Sequence, residues 1–236
     1  MPRIDDGFFK GIMRIIIATI KSWNIERVPI LAGLNPQHEF FGIRYKNELE
    51  YEYVKGINPD WIFFPHWSWT IPKEIYENWK CVVFHMTDLP FGRGGSPLQN
   101  LILNHCYKTR ISAVKVVEGI DRGPIYCKSE EIDIGYGSAG EILKNISDYI
   151  FNSMIPLILQ VNPEPKEQEG RPFYFQRLRD NSELKGIMNK ADCYDYIRML
   201  DGEGYERAWA KIGNISMTFY DAKLEDGKVM GRFEIV

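Results

Sequence analysis

Short apolar runs recur along the chain, each closed by polar, Gly or Pro positions, and the gaps between them are long enough to hold helices. Residues 13–20, with Ile15-Ile16-Ile17-Ala18 at their centre, predict a first buried strand, because a strand covered on both faces of a parallel sheet reads as a continuous apolar run. An irregular helical stretch follows around 24–30, then a second strand near 40–45, a helix around 46–57 and a strand at 60–65. Cys81-Val82-Val83-Phe84 and residues 111–117 predict two more strands. The clearest helix runs from Ser138 to Gln160: Ser138 and Glu141 have capping-box spacing, and Ile142, Ile146, Tyr149 and Ile150 share one side. Residues 162–170 are polar and proline-containing, an expected linker or exposed loop. Beyond them come a helix at 190–200 and short strands over 207–235 with a turn at 225–228.

Strands alternating with helices imply an α/β fold with a Rossmann-like, parallel-rich sheet and right-handed crossovers, followed by a small C-terminal β-containing module. The expected division is an N-terminal extension over 1–12, a catalytic domain over 13–165, and a linker with the small module over 166–236. There is no internal repeat.

Composition narrows the class. With 236 residues, 44% hydrophobic and 26% charged, the chain can bury one full core plus an appendage. A formal net charge of -3 and a pI near 5.9 imply no global attraction to a polyanion, so nucleic acid is not expected as a partner. Cys81, Cys106, Cys127 and Cys193 lie far apart without CxxC spacing, which indicates neither a zinc site nor a disulfide framework, and Cys81 and Cys127 are expected as buried apolar residues. No segment approaches about twenty apolar residues, so no membrane partner is expected and the default location is cytoplasmic. A homodimer is left open.

The chemistry concentrates in 84–99, where an imidazole, His85, meets a glycine-rich turn directly after an apolar strand. About thirty residues later, Glu118-Gly119-Ile120-Asp121-Arg122-Gly123-Pro124 leaves another strand. Ligands of open α/β sheets bind outside the carboxyl ends of strands, so His85 and Asp121 are expected to meet in one crevice, where a carboxylate fixes the tautomer of an imidazole and suits it to acid–base work. The competing reading is a hydrogen-bonded structural His and an ordinary turn. His66 is a rival His, Arg93 reads either as an anion contact or as a brace for its loop, and the Gly94-Gly95 pair lacks the spacing of a phosphate-binding loop.

Both stretches together resemble the folate-dependent formyltransferases. That family's Asn-x-His-x-Ser-Leu-Leu-Pro-x-x-Arg-Gly-x-x-Pro-x-Gln pattern is matched without a gap by His85, Thr87, Leu89, Pro90, Arg93, Gly94, Pro97 and Gln99, and its Gly-x-Asp-x-Gly loop by Gly119, Asp121 and Gly123. The likeness extends loosely over 13–213. One departure stands out: the family's catalytic Asn falls on Val83, and valine donates no hydrogen bond to an oxyanion. Losing such a donor costs about a hundredfold or more in turnover, roughly 3 kcal/mol. Thr87, Asn100, Asn104 and a backbone amide are the candidate replacements.

The resemblance implies N10-formyltetrahydrofolate as formyl donor, with no metal, and a primary amine as acceptor. It implies His85 and Asp121 as catalytic residues; Trp67, Ser68, Trp69, Val117, Glu118 and Ile120 as donor contacts; and Thr87, Arg93 and Gly94 as acceptor contacts. Trp67 and Trp69 read equally well as stacking on a ring or as packing against their own loop. The short N-terminal half and acidic charge look most like bacterial nucleotide-sugar N-formyltransferases of surface-glycan synthesis, and the F-H-x-T-D-L-P variant is similar to the pseudaminic acid branch. The expected acceptor is therefore the 4-amino group of a nucleotide-linked 4-amino-4,6-dideoxy sugar, such as a UDP-linked altrosamine derivative. The alternatives are a methionyl-tRNA formyltransferase and a non-catalytic protein that binds folate or a nucleotide sugar.

Overall fold

A computed structural model describes residues 11–178, 182–186 and 189–236. Most of the expected N-terminal extension, residues 1–10, lies outside the described residues. The strands are β1 Arg14–Ala18, β2 Glu39–Ile43, β3 Trp61–Phe64, β4 Lys80–His85, β5 Arg93–Gly94, β6 Lys108–Thr109, β7 Ser112–Lys115, β8 Ile125–Lys128, β9 Ile132–Asp133, β10 Tyr174–Phe175, β11 Ala208–Ile212, β12 Ile215–Glu225 and β13 Lys228–Ile235. The α-helices are α1 Ser22–Ile25, α2 Arg27–Leu34, α3 Tyr51–Ile57, α4 Lys73–Tyr76, α5 Pro97–Leu103, α6 Ala139–Tyr149, α7 Ile155–Val161 and α8 Lys190–Leu200.

The main sheet has the order β2-β1-β3-β4-β7-β8, and β2, β1, β3 and β4 are parallel. Its register sets Ile15 beside Trp61 and Phe64 beside Val83. All four residues of β3 and the last four of β1 are buried, as their unbroken apolar runs predict. The α/β class with a parallel-rich sheet and C-terminal strands is thus observed. Two compact units result. One comprises the described residues of Met1–Phe84 with Ala113–Cys127 and Ser147–Gln168; the other comprises His85–Ser112, Lys128–Ile146 and the described residues of Glu169–Val236.

Local signals account for most element ends. The amide of Ser138 donates to the Glu141 carboxylate at 2.8 Å, and the Glu141 amide donates to Ser138 Oγ at 3.2 Å, so the capping box closes the start of α6. Its stripe is buried at Ile142, Ile146 and Ile150. The helix is not continuous to Gln160, however: Ile150–Met154 form a π turn before α7. Pro156 explains the break, since its ring has no N–H for the helix ladder and crowds the carbonyl four residues back. The helix expected over 46–57 likewise splits into a 3-10 turn at Lys46–Glu48 and α3. There the Glu48 carboxylate accepts from the amides of Arg44 and Tyr45, and Glu50 is extended.

One expectation fails on burial, and the loop reading of the polar segment holds over the linker reading. Cys81 is buried, but Cys127 is only half-buried because it lies on β8, the last strand of the sheet. The polar segment after α7 is no free linker: Lys166 and Ile125 exchange backbone hydrogen bonds at 2.7 and 2.9 Å.

Candidate functional site

His85 is the last residue of β4, buried where the apolar run of that strand gives way to the turn-forming sequence. Its Nε2 donates to the Gly92 carbonyl at 2.7 Å. That bond places the hydrogen on Nε2, so in the neutral ring Nδ1 carries the lone pair. The segment beyond His85 is held at several points. Ser112 Oγ donates to the Thr87 carbonyl at 2.8 Å, Thr109 Oγ1 donates to the Met86 carbonyl at 2.9 Å, and Lys128 Nζ donates to the Leu89 carbonyl at 2.6 Å. Thr87 itself is fully buried, and its hydroxyl has no hydrogen-bond partner among the described residues.

Arg93 and Gly94 form β5 and pair in parallel with Tyr174 and Phe175 of β10. The approach is so close that a Cβ on Gly94 would lie 2.3 Å from the Phe175 carbonyl, and φ there is +115°, which explains the glycine. Arg93 Nη1 donates to Tyr174 Oη at 3.3 Å, and the guanidinium stacks over that ring, so the bracing reading of Arg93 has a visible partner. Phe91, Phe173 and Phe175 pack ring against ring beside this pairing. Phe173, Phe175 and β10 sit in a stretch with no periodic signal, and sequence reasoning passed over them.

In the unit built around the main sheet, the loop after β3 carries Trp67, Ser68 and Trp69. Trp67 packs edge-to-face on Phe64 and on Trp69, with ring centroids 5.8 and 4.9 Å apart. Its indole N–H is buried without a hydrogen-bond partner among the described residues. Trp69 is 37% exposed, whereas Trp67 is half-buried. His66, the rival His, has φ +54° and an Nε2 to Ser147 Oγ contact of 3.0 Å, and Ser147 also accepts from Trp23 Nε1 at 3.1 Å. This is a structural assignment for the His66 ring.

The loop after β7 holds Val117, half-buried, and the exposed Glu118 and Ile120. Asp121 adopts a left-handed conformation with φ +52°, which Asp tolerates better than most residues. Gln168 Nε2 clamps the turn by donating at 2.8 Å to the carbonyls of both Asp121 and Gly123. Gly123 is obligatory there, since a Cβ would fall 1.8 Å from the Lys115 carbonyl. Of the predicted site residues, His85, Thr87, Arg93 and Gly94 belong to one compact unit, and the two tryptophans, Ser68, Val117, Glu118, Ile120 and Asp121 belong to the other. A cavity of about 320 Å³ lined by Trp61, Trp79, Lys80, Lys115 and Tyr126 contains none of them.

Val83, where the resemblance expects an amide donor, is half-buried against the apolar cluster that includes Phe64 and Cys81. Among the side chains that were candidates to replace it, Asn100 Nδ2 is committed to the carbonyls of Gly95, Ser96 and Gln176, and Asn104 Nδ2 to the carbonyl of Asn100. Thr87 is the uncommitted one.

Comparison with known proteins places this geometry. A solved structure described as methionyl-tRNA formyltransferase from Clostridium thermocellum superposes with a TM-score of 0.91 and 52% identity, covering 95% of this chain and 99% of that one. The chain belongs to the formyltransferase family. A family model described as the C-terminal domain of methionyl-tRNA formyltransferase matches residues 179–236. The methionyl-tRNA formyltransferase of Bacillus cytotoxicus is 27% identical over 166 residues, covering 67% of this chain and 53% of that protein, so the chain spans about half the length of the curated relatives it matches. A sugar N-formyltransferase from Shewanella shares the fold with a TM-score of 0.63 but only 16% identity.

These findings overturn the expected acceptor. The nucleotide-linked amino sugar rested on acidic charge, the short N-terminal half and C-terminal module and the F-H-x-T-D-L-P variant, and the exclusion of nucleic acid rested on net charge. The 52% identical relative is matched over nearly its whole length, so length does not separate the branches. A net charge of -3 sums over the entire surface and is silent on where the cations lie. Among the described residues no helix is long and apolar enough to cross a membrane.

Proposed function

We propose that this protein transfers a formyl group from N10-formyltetrahydrofolate to the α-amino group of methionyl-tRNA. The observation that carries the reading is the 52% identity, over 95% of this chain, to the protein described as a methionyl-tRNA formyltransferase. The C-terminal family match over 179–236 supports it independently of the catalytic segment.

The donor is assigned to the loops after β3 and β7, through Trp67, Ser68, Trp69, Val117, Glu118 and Ile120. The buried indole N–H of Trp67, which has no hydrogen-bond partner among the described residues, and the exposed Trp69 fit a flat heterocycle that carries acceptor atoms. When bound, the donor supplies an activated formyl carbon. His85 takes a proton at Nδ1, since Nε2–H is held by the Gly92 carbonyl, as the amine nitrogen bonds to the formyl carbon; the bond from that carbon to N10 of the donor then breaks and N10 takes up the proton. Asp121 is the second acid–base group, and the Gln168 clamp fixes its backbone. Thr87 replaces the missing amide donor opposite the developing oxyanion, while Arg93 and Gly94 meet the acceptor.

Incubating the protein with donor and methionyl-tRNA, then hydrolysing the ester and weighing the released amino acid, tests the reading. Formylmethionine is expected, with at least about a hundredfold loss for His85→Ala and for Asp121→Asn. No formylmethionine at micromolar enzyme would overturn it.

A further inference from the structure

The C-terminal sheet, order β11-β12-β13, has one apolar face. Its register sets Ala208, Phe219 and Phe233 in one cross-strand row and Ala210, Met217 and Ile235 in the next. Ile212 and Ile215 close the face beside the turn that joins β11 to β12. The opposite face carries Thr218 beside Glu234 and Tyr220 beside Arg232. Although α8 packs against this sheet, the outer part of the apolar face stays open: Phe233 is 55% exposed, Ile235 67%, Ile212 65% and Ile215 48%. Single exposed apolar residues are ordinary, but a contiguous patch marks an interface.

The two edges of the sheet are unequal. β11 is covered, since the Trp209 amide donates to the Ser182 carbonyl at 2.9 Å and the Leu184 amide donates to the Trp209 carbonyl at 2.7 Å. β13 is the last strand on the other side, and no further strand pairs with it among the described residues. The Val236 amide donates inward to the Ser216 carbonyl, so by alternation Glu234 and Arg232 also turn their backbone groups inward, whereas Gly231, Phe233 and Ile235 turn theirs outward. An apolar strand with an unpaired outer edge is a template for another strand.

We propose that two copies of this chain join edge to edge through β13, antiparallel about a two-fold axis at Phe233, into one six-stranded sheet. Three features of the strand agree on this register. The outward-facing residues meet one another, Phe233 opposite the partner's Phe233 and Gly231 opposite the partner's Ile235, so the outward backbone groups of these three residues find mates. The apolar face runs unbroken across the axis. On the polar face Arg232 stands opposite the partner's Glu234, twice by symmetry, so the strand is complementary in charge to itself. Arg232 and Glu234 now contact Asp221 and Arg207 at 3.4 and 3.6 Å on the exposed surface, pairings that are weak in water and leave both side chains able to reach across.

Sedimentation equilibrium of the purified chain tests the proposal without reference to catalysis. A dimer is expected, and Phe233→Arg should give a folded monomer with an unchanged circular dichroism spectrum. Arg232→Glu alone should weaken the dimer about tenfold or more by setting like charges opposite each other, and Arg232→Glu with Glu234→Arg in the same chain should restore it. If Phe233→Arg fails to fold, that charge exchange still decides the register. Phe233→Cys should cross-link under mild oxidation where the wild type does not, because facing Cα atoms in such a pair lie about 5.5 Å apart, within disulfide reach. A wild-type monomer at tens of micromolar, or a dimer indifferent to both Phe233→Arg and the charge exchange, would overturn it.

Discussion

His85 Nε2 donates to the carbonyl of Gly92, seven residues onward, at 2.7 Å, so one side chain closes the glycine-rich turn while Nδ1 carries the lone pair of the neutral ring. The two duties separate under substitution. His85→Gln can still donate to the Gly92 carbonyl, because its amide nitrogen reaches the position of the His Nε2, but offers no base. It should melt near the wild type while turnover falls about a hundredfold or more. His85→Ala should lose turnover to the same degree and also melt lower, since a buried carbonyl is left unpaired at a cost of about 1–3 kcal/mol. Paired melting curves and initial rates check this, and near-wild-type turnover in His85→Gln would remove His85 from the chemistry.

Thr87 gives the opposite pairing of effects. Its hydroxyl is buried without a partner among the described residues, an arrangement that costs stability in the resting protein. Thr87→Val, nearly the same shape, should therefore raise stability by about 1 kcal/mol. If the hydroxyl is the oxyanion donor that Val83 cannot be, kcat should fall by about a hundredfold with KM little changed, and Thr87→Ser should recover most of it. A stabilised Thr87→Val of undiminished kcat would return the oxyanion role to a backbone amide.

What the sequence revealed and concealed follows from which interactions leave a trace in side-chain pattern. β1, β3 and β4 were legible because burial on both faces demands consecutive apolar residues, and α6 because its cap and stripe are both written in side chains. The pairing of Lys166 with Ile125 runs through backbone groups, which any residue supplies, so the segment read as a linker. Gln168 is a single polar residue in that segment, and nothing local announces that it clamps Asp121. Pro156 was visible, but the width of the turn it forces was not. The acceptor was misread for a different reason, because a summed charge carries no positional information.

Thiols and phenols, Cys81, Cys127 and Tyr126 among them, make stability depend on alkaline pH. Burial pushes the Cys127 thiol from 9.0 up to about 11 and the Cys81 thiol higher still, and it pushes the Tyr126 hydroxyl from 10.0 up to about 12, with Cys81 and Glu164 adding to the rise. Each group stays protonated in the folded chain after the unfolded chain has released its proton. The unfolded state then binds fewer protons, and stability falls as pH rises. The melting temperature should be level below about pH 8.5 and drop from about 9 to 11, less steeply in Cys127→Ala. Iodoacetamide near neutral pH should label Cys81 and Cys127 slowly, as mass mapping would show. Rapid labelling of Cys81 in the native protein would contradict its burial.

The tRNA assignment has its own electrostatic signature, sharpest because the whole chain is acidic. An acceptor RNA held through phosphates releases counterions, so log affinity should fall linearly with log salt, by about 0.7–0.9 for each phosphate engaged. With a net charge of -3 there is no general attraction to add to this, and the slope should report a small set of local contacts. Arg93 is one candidate, half-buried beside Tyr174 in the turn assigned to the acceptor. Arg93→Gln should lower the slope by about 1 and weaken different tRNAs alike if the guanidinium meets a phosphate. If Arg93 only braces Tyr174, the slope should stay and the melting temperature should fall instead. Binding of methionyl-tRNA that is flat in salt, in wild type and variant, would mean that phosphates do not hold the acceptor and would leave the tRNA reading without its physical basis.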